Sequence, residues 1–227
     1  MLLRLPRLLL LLARTSPATT GYLLLLLLTH AWLTEVASPA TAARTLLAVS
    51  TNIGNLQRDP IGSLAGSALF FDGTLTHVRS LEFAGTVITL GMGVAVCLVR
   101  LESRYGAWRA CAVFLAGHVG ATLFTACVIE IALRCGWYPE SVRHALDYGI
   151  SYGAQAALAA SAVLVRRRST SVVAMAAVIA WPVAGAEWNG PLPDFTTVGH
   201  LSAAAVGFLA GVLLERKCGL SVWCRWW

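Results

Sequence analysis

Residues 149–161 read GISYGAQAALAAS, and residues 199–211 read GHLSAAAVGFLAG. Each stretch opens with a glycine and a polar side chain, then continues with small and apolar residues. One helical face of the second stretch carries a histidine followed only by small residues: His200, Ala203, Ala204, Gly207 and Gly211. Small residues at this spacing let helix backbones approach closely in lipid. We therefore expect two tightly packed helices with Ser151 and His200 near corresponding ends.

The composition indicates an integral membrane protein with one compact helical domain. Of its 227 residues, 57% are hydrophobic and only 12% are charged, about half the charged fraction of an ordinary soluble domain. The net charge of +6 comes from short arginine clusters between apolar runs. Membrane topology and anionic lipid headgroups account for such clusters, so we expect no nucleic-acid partner. The six cysteines include no CxxC pair, which argues against a zinc or redox site.

Six apolar segments are long enough, or nearly so, to span a bilayer. They cover residues 20–36, 81–99, 109–133, 148–165, 170–186 and 197–214. We predict an all-α membrane protein, a six-transmembrane-helix bundle over residues 20–216. Residues 1–19 form a basic amphipathic flank and residues 217–227 an aromatic and basic tail. A cleaved signal peptide is the alternative for the first segment, and residues 38–79 form a connector at the outer leaflet.

Basic residues alternate between the two sides of this bundle. With the N-terminus inside, the inner segments hold 12 of the 17 basic residues and the outer segments hold 5. The positive-inside rule therefore predicts a multi-pass protein with cytoplasmic N- and C-termini. Sixteen of the 17 are arginine, a skew typical of GC-rich genomes, and we expect a bacterial cell membrane. In this topology Ser151 and His200 both lie about one helical turn below the outer surface.

A serine and a histidine at one depth match the requirements of a two-residue nucleophilic site. A neutral imidazole takes the hydroxyl proton, and the serine becomes a nucleophile. Serines in membrane helices also bond back to their own helix, and a lone histidine also bridges helices. Ionisable residues inside a membrane are, however, functional candidates by default.

These segments resemble the rhomboid intramembrane serine proteases, most closely a divergent rhomboid-like subgroup, over roughly residues 50–216. Gly149-Ile150-Ser151 is similar to the Gly-x-Ser-Gly motif that carries the family's nucleophile. Gly199-His200, with small residues three and seven positions later, is similar to the start of its sixth helix. Glu102 and Gly106 match a Glu and a Gly four residues apart at the end of its second helix. Residues 64–70 resemble the run that precedes that helix.

The resemblance implies a protease that cleaves transmembrane substrates near the outer membrane face, without a cofactor. Ser151 would be the nucleophile and His200 the general base. Two departures stand out: residues 81–86 read LEFAGT where many rhomboids have His-x-x-x-Asn, and Tyr152 follows the serine in place of Gly. Losing one oxyanion donor typically costs about 10²–10³ in rate. Gly149, Tyr152 and His118 are therefore candidate oxyanion or supporting residues.

Two other functions fit parts of the pattern. A catalytically inactive rhomboid-like protein would bind membrane clients through the same bundle, so the partners are transmembrane substrates or clients together with membrane lipids. A haem or metal protein would use His30 with His118 or His200. No two histidines stand four residues apart on one helix, so we expect no metal site.

Four further polar residues have simpler expected roles. Asp147 is expected to cap the fourth predicted span, or else to shape a cavity mouth or orient a base. Asp194 is expected to cap the sixth, with Thr196 and Thr197 as alternatives. Glu130 is expected to pair with Arg134 through i,i+4 spacing. His118 is expected to act chiefly as an interhelical hydrogen-bonding residue.

Overall fold

A computed structural model describes residues 13–188 and 190–220, so most of the predicted flank and tail lies outside it. The described chain is helical, without a β-strand. Its helices are α1 (Pro17–Ala31), with a π-helical continuation Trp32–Val36, α2 (Pro39–Val49), α3 (Ile53–Arg58), α4 (Pro60–Ser67), α5 (Leu81–Tyr105), α6 (Ala107–Arg134), α7 (Ile150–Val163), α8 (Arg168–Ala184) and α9 (Phe195–Leu220). The middle of α5, Val87–Leu98, is π-helical, and a 3₁₀ turn, Glu140–His144, precedes α7.

Within the described residues, three helices are long and apolar enough to cross a membrane: α5, α6 and the Phe195–Arg216 part of α9. Helix α8 is apolar but shorter. A helix covers each of the six predicted apolar segments, so the all-helical class is confirmed. That all six cross a membrane remains a prediction.

Helix α7 is the centre of the bundle, and 11 of its 14 residues are buried. Helices α5, α6, α8 and α9 surround it. A Cβ on Gly207 would collide with the carbonyl oxygen of Ala156, and one on Gly211 would lie 2.9 Å from that of Ala160. The backbones of α7 and α9 are therefore in direct contact, as the small residues predicted.

A proline in α8 explains one hydrogen bond across the bundle. Pro182 has no N–H, so the carbonyl of Val178, four residues earlier, lacks its usual helical partner. Gln155 of α7 donates its amide Nε2 to that carbonyl at 2.8 Å. A buried polar side chain on α7 thus satisfies a group that the proline left open.

Polar groups join α1 to the end of α5. The buried Glu102 carboxylate accepts hydrogen bonds from the backbone N–H groups of Ala18 (3.0 Å) and Thr19 (2.7 Å). It thereby caps the first turn of α1, where negative charge is favourable. Gly106 follows with φ +86, the left-handed conformation that suits glycine, and the chain turns there into α6. These two roles account for the Glu102–Gly106 spacing.

Several hydrogen bonds attach the connector α2–α4 to the helices around it. Ser50 Oγ accepts a hydrogen bond from the Asp147 N–H (2.9 Å), and the Thr51 N–H donates to the Asp147 carbonyl (2.9 Å). His118 Nε2 donates to the carbonyl of Leu64 at 2.8 Å. His118 is therefore an interhelical hydrogen-bonding residue, as expected.

Two expected side-chain contacts were wrong. Helix α7 begins after Gly149 without a side-chain cap, because the backbone of Asp147 is bonded to Ser50 and Thr51 two residues before the helix starts. Glu130 pairs with Arg143 at 2.8 Å instead of Arg134, because the loop before α7 folds back over the end of α6.

Candidate functional site

Ser151 and His200 line the same cavity, whose volume is about 280 Å³. It lies where α7 and α9 begin, and both side chains are partly exposed to it. Helix α5, Phe71 and Asp72 of the connector, the loop before α7, and Trp181 of α8 form the other walls. The contact between α7 and α9 thus brings together the two residues singled out from the sequence.

Each of the two side chains is hydrogen-bonded within its own helical region. Ser151 Oγ donates to the carbonyl of Tyr148 at 3.4 Å, and His200 Nδ1 lies 2.8 Å from the carbonyl of Thr196. A carbonyl only accepts, so Nδ1 carries the proton and Nε2 keeps a free lone pair. This is the tautomer that a general base requires. No hydrogen bond joins Ser151 to His200 in the described structure.

Two aromatic rings hold the imidazole edge-on. The ring centroid of Tyr152 is 5.2 Å from that of His200, and the Trp181 centroid is 6.0 Å away. Tyr152 is fully buried and fills the interior beside the histidine. Trp181 was not predicted from the sequence. The sequence did contain a signal for it, because this tryptophan lies near the end of the fifth apolar segment. If neighbouring spans are antiparallel, that end lies at the same depth as Ser151.

Gly149 and His118 lie behind the cavity. A Cβ on Gly149 would collide with the His118 imidazole, so this glycine permits the close approach of α7 to α6. His118 is buried and does not line the cavity. His118 Nδ1 and the Tyr152 hydroxyl are buried without a hydrogen-bond partner among the described residues.

Acidic and hydroxyl groups dominate the polar lining. The carboxylates come from Asp72, Glu82 and Asp147, and Thr86 and Thr89 of α5 add hydroxyls. Among the residues that the structure describes, no lysine or arginine lines this cavity. Burial raises the pKa of the Asp147 carboxyl to about 6. The cavity therefore gains negative charge beside Ser151 as the pH rises through that value.

Asp194 fixes the start of α9, as the sequence predicted. Its carboxylate accepts from the Thr197 N–H at 3.0 Å, the Thr197 hydroxyl at 2.7 Å and the Thr196 hydroxyl. Burial alone would raise the pKa of Asp194, but these hydrogen bonds outweigh it and lower the pKa. The cap positions the helical turn that carries His200.

The histidines do not converge. His30 stacks on Phe71 with centroids 4.4 Å apart, His118 lies under α4, and His200 faces the cavity. Within residues 13–188 and 190–220, no three His, Cys, Asp or Glu side chains are grouped so that they could share a metal ion.

Comparison with protein families gives a match over most of the chain. A family model described as "Rhomboid-like protein" matches residues 12–218, which is nearly the whole chain. No curated protein and no solved structure matches it.

Proposed function

Because the chain belongs to the rhomboid-like protein family, we propose that it is an intramembrane serine endopeptidase with Ser151 as the nucleophile and His200 as the general base. The observation that carries the proposal is that both side chains line one cavity from two helices in backbone contact. The Nδ1–H tautomer of His200 leaves Nε2 ready to accept a proton. The substrates are transmembrane proteins.

The proposed reaction follows from these groups. Ser151 Oγ attacks the scissile carbonyl carbon while its proton passes to His200 Nε2. The tetrahedral intermediate collapses, the C–N bond breaks, and His200 returns the proton to the leaving amine. Water then attacks the acyl carbon and gives a proton to His200. The C–O bond to Ser151 breaks, the carboxylic acid product leaves, and His200 returns the proton to Ser151 Oγ. Before the first step, the Ser151 hydroxyl must rotate away from the Tyr148 carbonyl.

Gly149, Tyr152 and His118 have supporting roles in this proposal. Tyr152 orients the imidazole through its ring contact. Gly149 allows the start of α7 to rest on His118, which in turn holds α4. The Ser151 N–H is a candidate oxyanion donor, because its bond to the Tyr148 carbonyl is long, at 3.4 Å.

We further propose that six helices, α1 and α5–α9, cross a bacterial cell membrane with both termini on the cytoplasmic side. The basic residues alternate as this topology requires. Residues 20–216 would form the membrane domain, residues 1–19 a flank and residues 217–227 a tail. Helix α7 is only about 21 Å long, but the helices around it shield it from lipid.

A fluorophosphonate serine probe tests the proposal on the full chain in detergent. We expect labelling of the wild type and its loss in Ser151→Ala and His200→Ala. Ser202→Ala is the matched control, because it removes a serine hydroxyl of α9 that bonds to the carbonyl of Gly199. This variant should keep full labelling. A folded wild type that is not labelled, or labelling that survives Ser151→Ala, would contradict the proposed nucleophile.

A client-binding protein without catalysis is the second candidate. The observation in its favour is that Ser151 and His200 are each bonded to a carbonyl of their own region and not to each other. A protein of this kind should capture transmembrane clients equally well with Ser151→Ala. The protease should instead stop processing its substrates.

A further inference from the structure

A second cavity, an apolar groove of about 620 Å³, lies between α3 and α6, away from Ser151 and His200. Its apolar lining consists of Ile53, Leu56, Leu123, Ala126, Cys127 and Ile131. Leu123, Cys127 and Ile131 are exposed, although α6 is long and apolar enough to cross a membrane. In a bilayer the groove therefore opens towards lipid.

The groove is a formed feature because α3 is held in place. Ile53 is 3% exposed and packs in one cluster with Ile129 and Tyr138. Asn52 caps α3, and the Asn55 amide donates to the carbonyls of Leu47 and Ser50 at 2.7 and 2.9 Å. These contacts fix the position of α3 beside α6.

The polar residues of the groove gather at the C-terminal end of α6. Glu130 already accepts from Arg143 at 2.8 Å and from the Gln57 amide at 3.4 Å. Arg134, one turn later, is exposed and has no ion pair or hydrogen bond with any described residue. Arg134 therefore provides a positive charge without a partner among the described residues, and this charge lies at one end of the groove.

The length of the groove matches one leaflet of a membrane. Leu123 and Arg134 are 11 positions apart on α6, or about 16 Å along its axis. Half of a bilayer's hydrocarbon core is about 15 Å thick. An acyl chain beside Leu123 and Cys127 would thus belong to a lipid whose phosphate reaches Arg134.

We propose that this groove binds one glycerophospholipid of the leaflet that holds the C-terminal end of α6. The acyl chain lies between α3 and α6, and Arg134 binds the phosphate. The inference depends only on α6 lying in a membrane and stands whether or not Ser151 is catalytic.

Native mass spectrometry of the full chain in detergent, titrated with phosphatidylglycerol, tests the proposal. We expect one lipid to bind the wild type first. Arg134→Gln should weaken that binding about tenfold, and Cys127→Trp, which fills the groove, should abolish it. Two matched controls should bind as the wild type does: Arg79→Gln in the exposed loop before α5, and Cys111→Trp, an exposed position near the other end of α6.

Three results would overturn the proposal. The first is equal binding by all variants, which would mean non-specific lipid adhesion. The second is loss of binding in Cys111→Trp as strong as in Cys127→Trp. The third is a dimer that Cys127→Trp disrupts, which would make a second copy of the chain the occupant of the groove.

Discussion

Two contacts between helices in this protein are built in opposite ways. Where α7 meets α9, the α7–α9 seam, Gly207 and Gly211 rest on the backbone of Ala156 and Ala160, and close packing joins the helices. Where α1 meets α5, a buried carboxylate, Glu102, and the Ser16 hydroxyl make hydrogen bonds across the contact. Adding atoms should destabilise the α7–α9 seam. Removing a hydrogen-bond acceptor or donor should destabilise the contact between α1 and α5.

The largest effect is expected from Gly207→Val. The added side chain would collide with the Ala156 backbone, and overpacking at a site with no room to relax should lower the free energy of unfolding by about 3 kcal/mol. Thermal unfolding in detergent measures the loss. Gly120→Val is the matched control, since a Cβ there meets nothing nearer than Val206 Cγ2 at 3.9 Å. If both variants destabilise the protein equally, the α7–α9 seam is packed no more tightly than the surroundings of Gly120.

Glu102→Ala should destabilise the protein by about 2 kcal/mol. Two N–H groups at the start of α1 would lose their acceptor, and they lie in a buried contact. Denaturant unfolding and limited proteolysis near α1 provide the measurement. Glu102→Gln keeps one acceptor oxygen and should fall between wild type and alanine. The exposed Glu35→Ala should have almost no effect, and an equal loss there would refute the capping role.

Asp194→Ala removes the cap at the start of the α7–α9 seam and should cost about 1 kcal/mol at neutral pH. The pKa of Asp194 is lowered by folding, so its charge stabilises the folded state above the ordinary carboxyl pKa of about 4. That contribution is lost as the pH falls through the folded-state pKa. Stability curves of wild type and variant should therefore converge in acid. A constant difference at all pH values would contradict the assignment.

Ser16→Ala should have the smallest effect, about 0.5 kcal/mol. It removes one 3.0 Å hydrogen bond to the carbonyl of Val99 and leaves no buried donor unpaired. Denaturant unfolding beside the exposed Ser103→Ala provides the comparison. A loss as large as that of Glu102→Ala would mean that the α1–α5 contact depends on the hydroxyl more than on the carboxylate.

The parts of the structure that follow from local patterns could be predicted from the sequence. Apolar segments gave the helices, small residues at helical spacing gave the α7–α9 seam, and Asp194 was expected to cap α9. The pairing of Glu130 with Arg143 could not be predicted in this way, because it depends on how the loop before α7 folds. The bonds from Asp147 to Ser50 and Thr51 join positions almost 100 residues apart, and no local pattern contains them.

The candidate site also has a part that local sequence patterns predict and a part that they do not. Ser151 and His200 could be found because each lies near the start of a helix within a recognisable run. Trp181 and Thr89 reach the cavity from α8 and α5. Their sequence neighbours are ordinary apolar residues, and only the packing of those helices around α7 brings them beside Ser151. The packing of the helices therefore determines the walls of the cavity, whereas the sequence motifs identify two of its side chains.

The hydroxyl of Ser151 bonds to a carbonyl of its own region, whereas the imidazole of His200 also packs against rings of α7 and α8. A gene that replaced the serine with alanine should therefore still encode a protein that inserts and folds. Selection for a sound fold is then nearly blind to this hydroxyl. Only selection for what the hydroxyl does can keep it in the lineage, and a copy freed from that demand can drift into a new role without first becoming unstable.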